Sequence, residues 1–104
     1  MTGEREIGTA TVVRASRDQA ATRLGEETVL LSLANSIYYG LDEVGTVIWG
    51  LLSEPVTVGA IRDAIVRQYD VTEEVCERDL IALLNELLDH GLIEIVDTIT
   101  GQPV

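Results

Sequence analysis

The chain has 104 residues, enough for one domain with a modest core and too few for that core plus a separate catalytic domain, so function must sit on a surface or in a shallow groove. Its 7 basic residues stand against 18 acidic ones, a net charge of -11 that opposes binding to nucleic-acid phosphates or anionic membranes and suits a cationic or apolar partner. One cysteine, Cys76, excludes an internal disulfide and fits a reducing compartment; with no apolar signal region near Met1 and no run of about 18 apolar residues, a soluble cytoplasmic protein is expected.

Residues 1–8 are polar with two glycines and read as a flexible N-terminus. Thr9 to Arg14 alternates around the β-branched pair Val12 and Val13 and predicts a first strand. Arg17-Asp18-Gln19 is a turn, and Ala20 to Leu24 fits either a strand or an irregular crossing. Gly25-Glu26 then turns the chain into a second strand, Thr28 to Leu33.

Parity decides the expected register of the next hairpin, because residues opposite each other in an antiparallel pair share a face. A two-residue loop would set Leu33 against Ser36 and Leu31 against Tyr38, mixing apolar with polar. A three-residue loop, Ala34-Asn35-Ser36, matches Leu33 with Ile37, Leu31 with Tyr39 and Val29 with Leu41 in one apolar face, and is the expected register. The third strand, 36–41, is last in the meander and so an open edge.

Asp42 is a suitable N-cap for a first helix over 43–52, whose Val44, Val47, Ile48, Leu51 and Leu52 recur at core-facing spacing, with Trp49 anchoring the helix on the sheet. Ser53-Glu54-Pro55 ends it, and Thr57 caps a second helix over 58–69. Asp70 or Thr72 caps a third helix that runs to about Asp89 and stops at Gly91. Leu92 to Val96 is a short strand, and 97–104 is a polar tail.

The second and third helices are ordered like a DNA-binding helix-turn-helix, but the third carries Glu73, Glu74, Glu77, Asp79, Glu86 and Asp89 against Arg78 alone, the wrong sign for a phosphate backbone. Its apolar set, Val75, Cys76, Leu80, Ile81, Leu83, Leu84, Leu87 and Leu88, is wider than one core stripe. Either it is buried on two sides, or the flank Cys76, Leu80, Leu83 and Leu87 lines a groove beside the third strand, where an extended peptide could add to the open edge. His90 lacks the companions of a metal site, and the glutamates around Cys76 oppose thiolate formation, so no catalytic residue, metal ligand or cofactor is predicted.

The ordered set Tyr38-Tyr39-Gly40-Leu41-Asp42, Val47-Ile48-Trp49, Tyr69-Asp70-Val71 and His90-Gly91-Leu92-Ile93-Glu94 resembles the PqqD-like family of RiPP recognition elements, over roughly Glu27 to Val96. Leu30 to Tyr39 and Val75-Cys76-Glu77 are most similar to the stand-alone leader-binding proteins of lasso-peptide pathways. The resemblance implies an α+β fold, a three-stranded antiparallel sheet followed by a three-helix winged-helix-like bundle, with the binding domain over 9–96. It implies non-enzymatic capture of a precursor peptide's leader as an added antiparallel strand. Ser36, Ile37, Tyr38 and Tyr39 would form the edge, and Cys76, Asp79, Leu80, Leu83, Glu86 and Leu87 the facing wall. Implied partners are a transglutaminase-like leader peptidase and an ATP-dependent cyclase. Two departures stand out: Asp42 replaces a frequent Asn, and Ser36-Ile37 replaces a Gly before the Tyr pair. A peptide chaperone for a radical enzyme and a generic protein-interaction winged helix are the rival readings.

Overall fold

In the structure, a computed structural model that describes residues 7–104, alternation around Val13 produces β1 (Val12–Ala15), with Val13 wholly buried. β1 does not join its neighbours in the chain. It lies between β5 (Val56–Thr57) and β6 (Ile93–Ile95) in one antiparallel sheet, while β2 (Gln19–Leu24), β3 (Glu27–Ser32) and β4 (Tyr38–Leu41) form a second in the order β2-β3-β4. With α1 (Glu43–Leu51), α2 (Val58–Gln68) and α3 (Glu73–Asp89), the fold is α+β: two small antiparallel sheets and three helices.

The three-stranded meander is therefore present, with a different first member. The segment 20–24, which fits a strand or a crossing by sequence, supplies it, and the expected first strand belongs to the other sheet. Gly25 explains the choice. At φ +64° it allows a two-residue turn that places Leu24 directly against Glu27, whereas β1 spends backbone groups elsewhere: the Ala15 N–H donates to Leu52 O at 2.8 Å and the Ser16 N–H to Leu92 O at 2.9 Å.

The expected hairpin register is corrected by one residue. Leu30 faces Tyr39, Leu31 faces Tyr38 and Thr28 faces Leu41, so Thr28, Leu30 and Ser32 go inside while Val29 and Leu31 turn outward. The parity rule assumed that only apolar side chains belong within, but buried Thr28 is satisfied by the Thr46 hydroxyl of α1, which donates to its Oγ1 at 2.9 Å. The connection is a four-residue loop, 33–36, closed by Ser32 N–H to Ile37 O and Ser36 N–H to Ser32 O, with Ser36 at φ +58°. Apolar side chains stay in solvent here, Leu33 of the loop at 57 % exposure and Tyr38 on the outward face of β4 at 70 %.

Each helix starts on a side-chain oxygen that accepts an orphan N–H: Asp42 Oδ1 from Gly45 at 2.8 Å, Thr57 Oγ1 from Ala60 at 3.1 Å and Thr72 Oγ1 from Val75 at 3.3 Å. Thr72, and not Asp70, caps α3. That helix ends in a Schellman arrangement, with Gly91 at φ +71°, its N–H donating to Leu88 O and the Leu92 N–H to Leu87 O. Leu87 and Leu92, brought together by this turn, are both fully buried, alongside Leu30, Leu52, Ile61 and Leu84.

Residues 1–6, most of the segment expected to be flexible, lie outside the described residues; Ile7 packs into the core. The segment read as a polar tail folds back, Val96 bridging to Pro103 and the Val104 N–H donating to Ile95 O at 2.8 Å. Among the described residues no helix is long and apolar enough to cross a membrane.

Candidate functional site

Among the described residues β4 pairs only with β3, which leaves its other side open. The Ser32 N–H to Ile37 O bond fixes the alternation: Tyr39 and Leu41 spend their backbone groups on β3, and Tyr38 and Gly40 direct theirs toward the free edge. Tyr39 and Leu41 instead project their side chains inward, over a cavity of about 550 Å³.

That cavity is where the edge strand, all three helices and two junctions meet. Tyr39, Gly40 and Leu41 form one wall; Cys76, Asp79, Leu80 and Leu83 of α3 form the opposite one. Val44, Gly45 and Ile48 of α1, with Ile65, Tyr69 and Val71, close the remainder, and Asp42 and Asp79 bring carboxylates to an otherwise apolar lining. The α3 wall from Cys76 to Leu83 is about 10 Å long at 1.5 Å per residue, the length of about three residues of extended chain.

Two tyrosine–carboxylate hydrogen bonds tie the surrounding elements together. The Tyr39 hydroxyl donates to Glu86 Oε1 at 2.8 Å, linking β4 to α3, and the Tyr69 hydroxyl donates to Glu43 Oε2 at 3.2 Å, linking the end of α2 to the start of α1. Burial, then the hydrogen bond and the charge of Glu86, push the Tyr39 phenol up to about 12; Tyr69 is raised by desolvation and Glu43. The Tyr39 ring also leans on His90, with centroids 5.7 Å apart and planes at 51°. Cys76 is buried, and desolvation raises its thiol against the opposing pull of Arg62; a thiol so placed packs as a small apolar group. No group of three or more potential metal-ligating side chains occurs among the described residues.

Of the residues singled out by sequence, Tyr39, Cys76, Asp79, Leu80 and Leu83 come together around the cavity, and Glu86 joins them through Tyr39. Leu87 is wholly buried in the core and Leu80 only 2 % exposed, so Leu80 touches the cavity from beneath and Leu87 does not line it. Ser36 lies in the hairpin loop, Ile37 is 39 % exposed with its N–H turned to Asn35 Oδ1, and the Tyr38 side chain stands on the outward face of the sheet. Sequence reasoning missed the contributions of α1 and of Tyr69 and Val71. One signal was available: Gly45 is an expensive residue within a helix unless something approaches closely, and a Cβ there would lie 3.1 Å from Leu41 Cβ.

A short open strand beside an apolar cleft rimmed with carboxylates is the build of a domain that accepts an extended peptide. Comparison with known proteins narrows this class. Residues 27–93 match the family model for coenzyme PQQ synthesis protein D (PqqD). TbiB1, solved in complex with the TbiA(beta) leader peptide, is 38% identical over 78% of this chain and 94% of its own, with a TM-score of 0.73. A lasso peptide synthetase B1, solved with its leader peptide, shares the fold at 21% identity and a TM-score of 0.69, over 78% of this chain and 95% of its own. No curated protein matches the chain. The chain belongs to the PqqD family, as a PqqD-like RiPP recognition element.

Proposed function

We propose that this domain captures the leader of a ribosomally made precursor peptide as an added antiparallel strand on β4, in lasso-peptide maturation. The observation that carries this reading is the outward-facing backbone of Tyr38 and Gly40 running directly beside the cavity. Main-chain bonds to that edge hold the peptide, and alternate side chains enter the cleft. The 38% identity to TbiB1, whose structure holds a leader peptide, supports leader capture, and the fold shared with a lasso peptide synthetase B1 supports the lasso assignment over a cofactor pathway. α1, α2 and α3 act as a winged-helix-like bundle whose third helix is a peptide wall and not a DNA reader, and residues 9–96 are the binding unit. The domain performs no chemistry of its own; in the cytoplasm it delivers the precursor to a transglutaminase-like leader peptidase, with an ATP-dependent cyclase acting later.

Fluorescence anisotropy with the leader encoded beside this gene and with duplex DNA tests the binding; tight DNA binding with a steep salt slope would overturn it. Mass spectrometry of precursor incubated with this protein, with the peptidase, and with both tests delivery. Faster cleavage in the pair is expected, from the raised effective concentration of substrate, and cleavage by this protein alone would refute the non-enzymatic role.

A further inference from the structure

Glu86 stands one turn beyond Leu83, where the α3 wall of the cavity ends, and it is tied to the strand that forms the opposite wall. With Oε1 held 2.8 Å from the Tyr39 hydroxyl, and Tyr39 itself braced on His90, the carboxylate is oriented before any ligand arrives, so less side-chain entropy is lost on binding. Oε2 is left to accept from elsewhere. Among the described residues no arginine pairs with this group: Arg14 holds Glu94, Arg62 holds Asp63 and Glu77, and Arg78 meets Asp79.

What Oε2 meets follows from strand geometry, and this step rests on the strand-addition reading. A peptide running antiparallel to β4 places two inward side chains, one across from Leu41 and the next across from Tyr39, about 7 Å apart and two residues apart in sequence. Because the strands run in opposite senses, the residue across from Leu41 comes first. Its side chain fills the apolar cavity, and the following inward side chain arrives beside the clamped carboxylate.

We infer that Glu86, held by Tyr39, is a specificity-determining carboxylate that takes a lysine or arginine two residues C-terminal to the leader side chain occupying the cavity. A cation there forms a charge-assisted hydrogen bond, the strongest use of an oriented carboxylate, while an acidic residue meets like charge on a protein already at -11. Tyr39 acts as the positioning residue.

The test is selection of randomised sixteen-residue peptides displayed on yeast, against wild type and the Glu86→Gln, Glu86→Arg and Tyr39→Phe variants; Glu86 is exposed, and circular dichroism verifies that each variant is folded. Wild type should enrich an apolar residue followed two positions later by Lys or Arg. Glu86→Arg should keep the apolar preference and switch the second position to Asp or Glu; Glu86→Gln should lose the charge preference; Tyr39→Phe should weaken it. In anisotropy with one selected peptide, changing its Lys to Gln should weaken binding to wild type about two- to fivefold, the scale of a partly exposed ion pair, and leave binding to Glu86→Gln unchanged. Apolar selection with no charge preference, or the same preference in Glu86→Arg, overturns the role of Glu86 while strand addition stands. Failure to select any alternating extended peptide overturns both.

Discussion

Ser36 carries a φ of +58° with an ordinary L side chain, a conformation that costs about 1 kcal/mol outside glycine. Ser36→Gly should therefore stabilise the domain by up to about 1 kcal/mol, seen as a higher urea midpoint at unchanged slope. Tyr39 gives a pH signature. Its folded phenol lies at about 12, above the ordinary 10, so the stability it contributes is fully present below pH 10 and is lost as the pH rises through 12. The stability gap between wild type and Tyr39→Phe should shrink across that window. Absorbance at 295 nm should lose its latest titrating step in the variant. A gap that is constant with pH would mean that neither the burial of Tyr39 nor its hydrogen bond to Glu86 persists in solution.

Among the elements, β4 has two edges with opposite duties, and proline separates them. The N–H of Tyr38 points to the open side and that of Tyr39 to β3, so Tyr38→Pro removes only a group that the fold does not use. This variant should stay folded by circular dichroism yet lose leader affinity at least tenfold, while Tyr38→Ala, which retains the N–H, loses much less. Equal affinities in the two folded variants would place the peptide elsewhere. α3 divides in a similar way: Leu83 lines the cleft, whereas Leu87, one turn on, is sealed beneath the Schellman turn with Leu92. An apolar set wider than one stripe thus serves core and cleft at once.

For the whole molecule the dominant fact is a net charge of -11 on 104 residues. Self-repulsion of that size opposes the compact state and is screened by salt, so the thermal midpoint should rise between about 10 mM and 300 mM sodium chloride, over which the Debye length falls from about 30 Å to below 8 Å. A midpoint that falls with salt would show that the ion pairs Arg14–Glu94 and Arg62–Glu77 outweigh the repulsion. The acidic residues of α3 oppose a phosphate backbone and favour a cation at the cleft.

Local chemistry made the helices, their caps and the strand edge legible. Asp42, Thr57 and Thr72 cap because a short side-chain oxygen reaches the third amide onward, and Gly91 ends α3 because it tolerates positive φ; neither needs a distant partner. The ordered motifs from Tyr38 to Glu94 carried the family in the same way. Tertiary structure alone decided which strand heads the meander, because β1 finds its partners more than 40 residues away at β5 and more than 75 away at β6. It also decided the hairpin register, in which Thr28 turns inward and accepts from the Thr46 hydroxyl of α1. The cleft was half visible: its α3 wall shows as excess apolar surface, but its other walls come from Val44, Gly45, Tyr69 and Val71, residues that read as ordinary core or junction until the helices are packed. Burial of a polar group and the walls of a cavity are properties of pairs brought together in space, and a periodicity along one chain reports only one member of each pair.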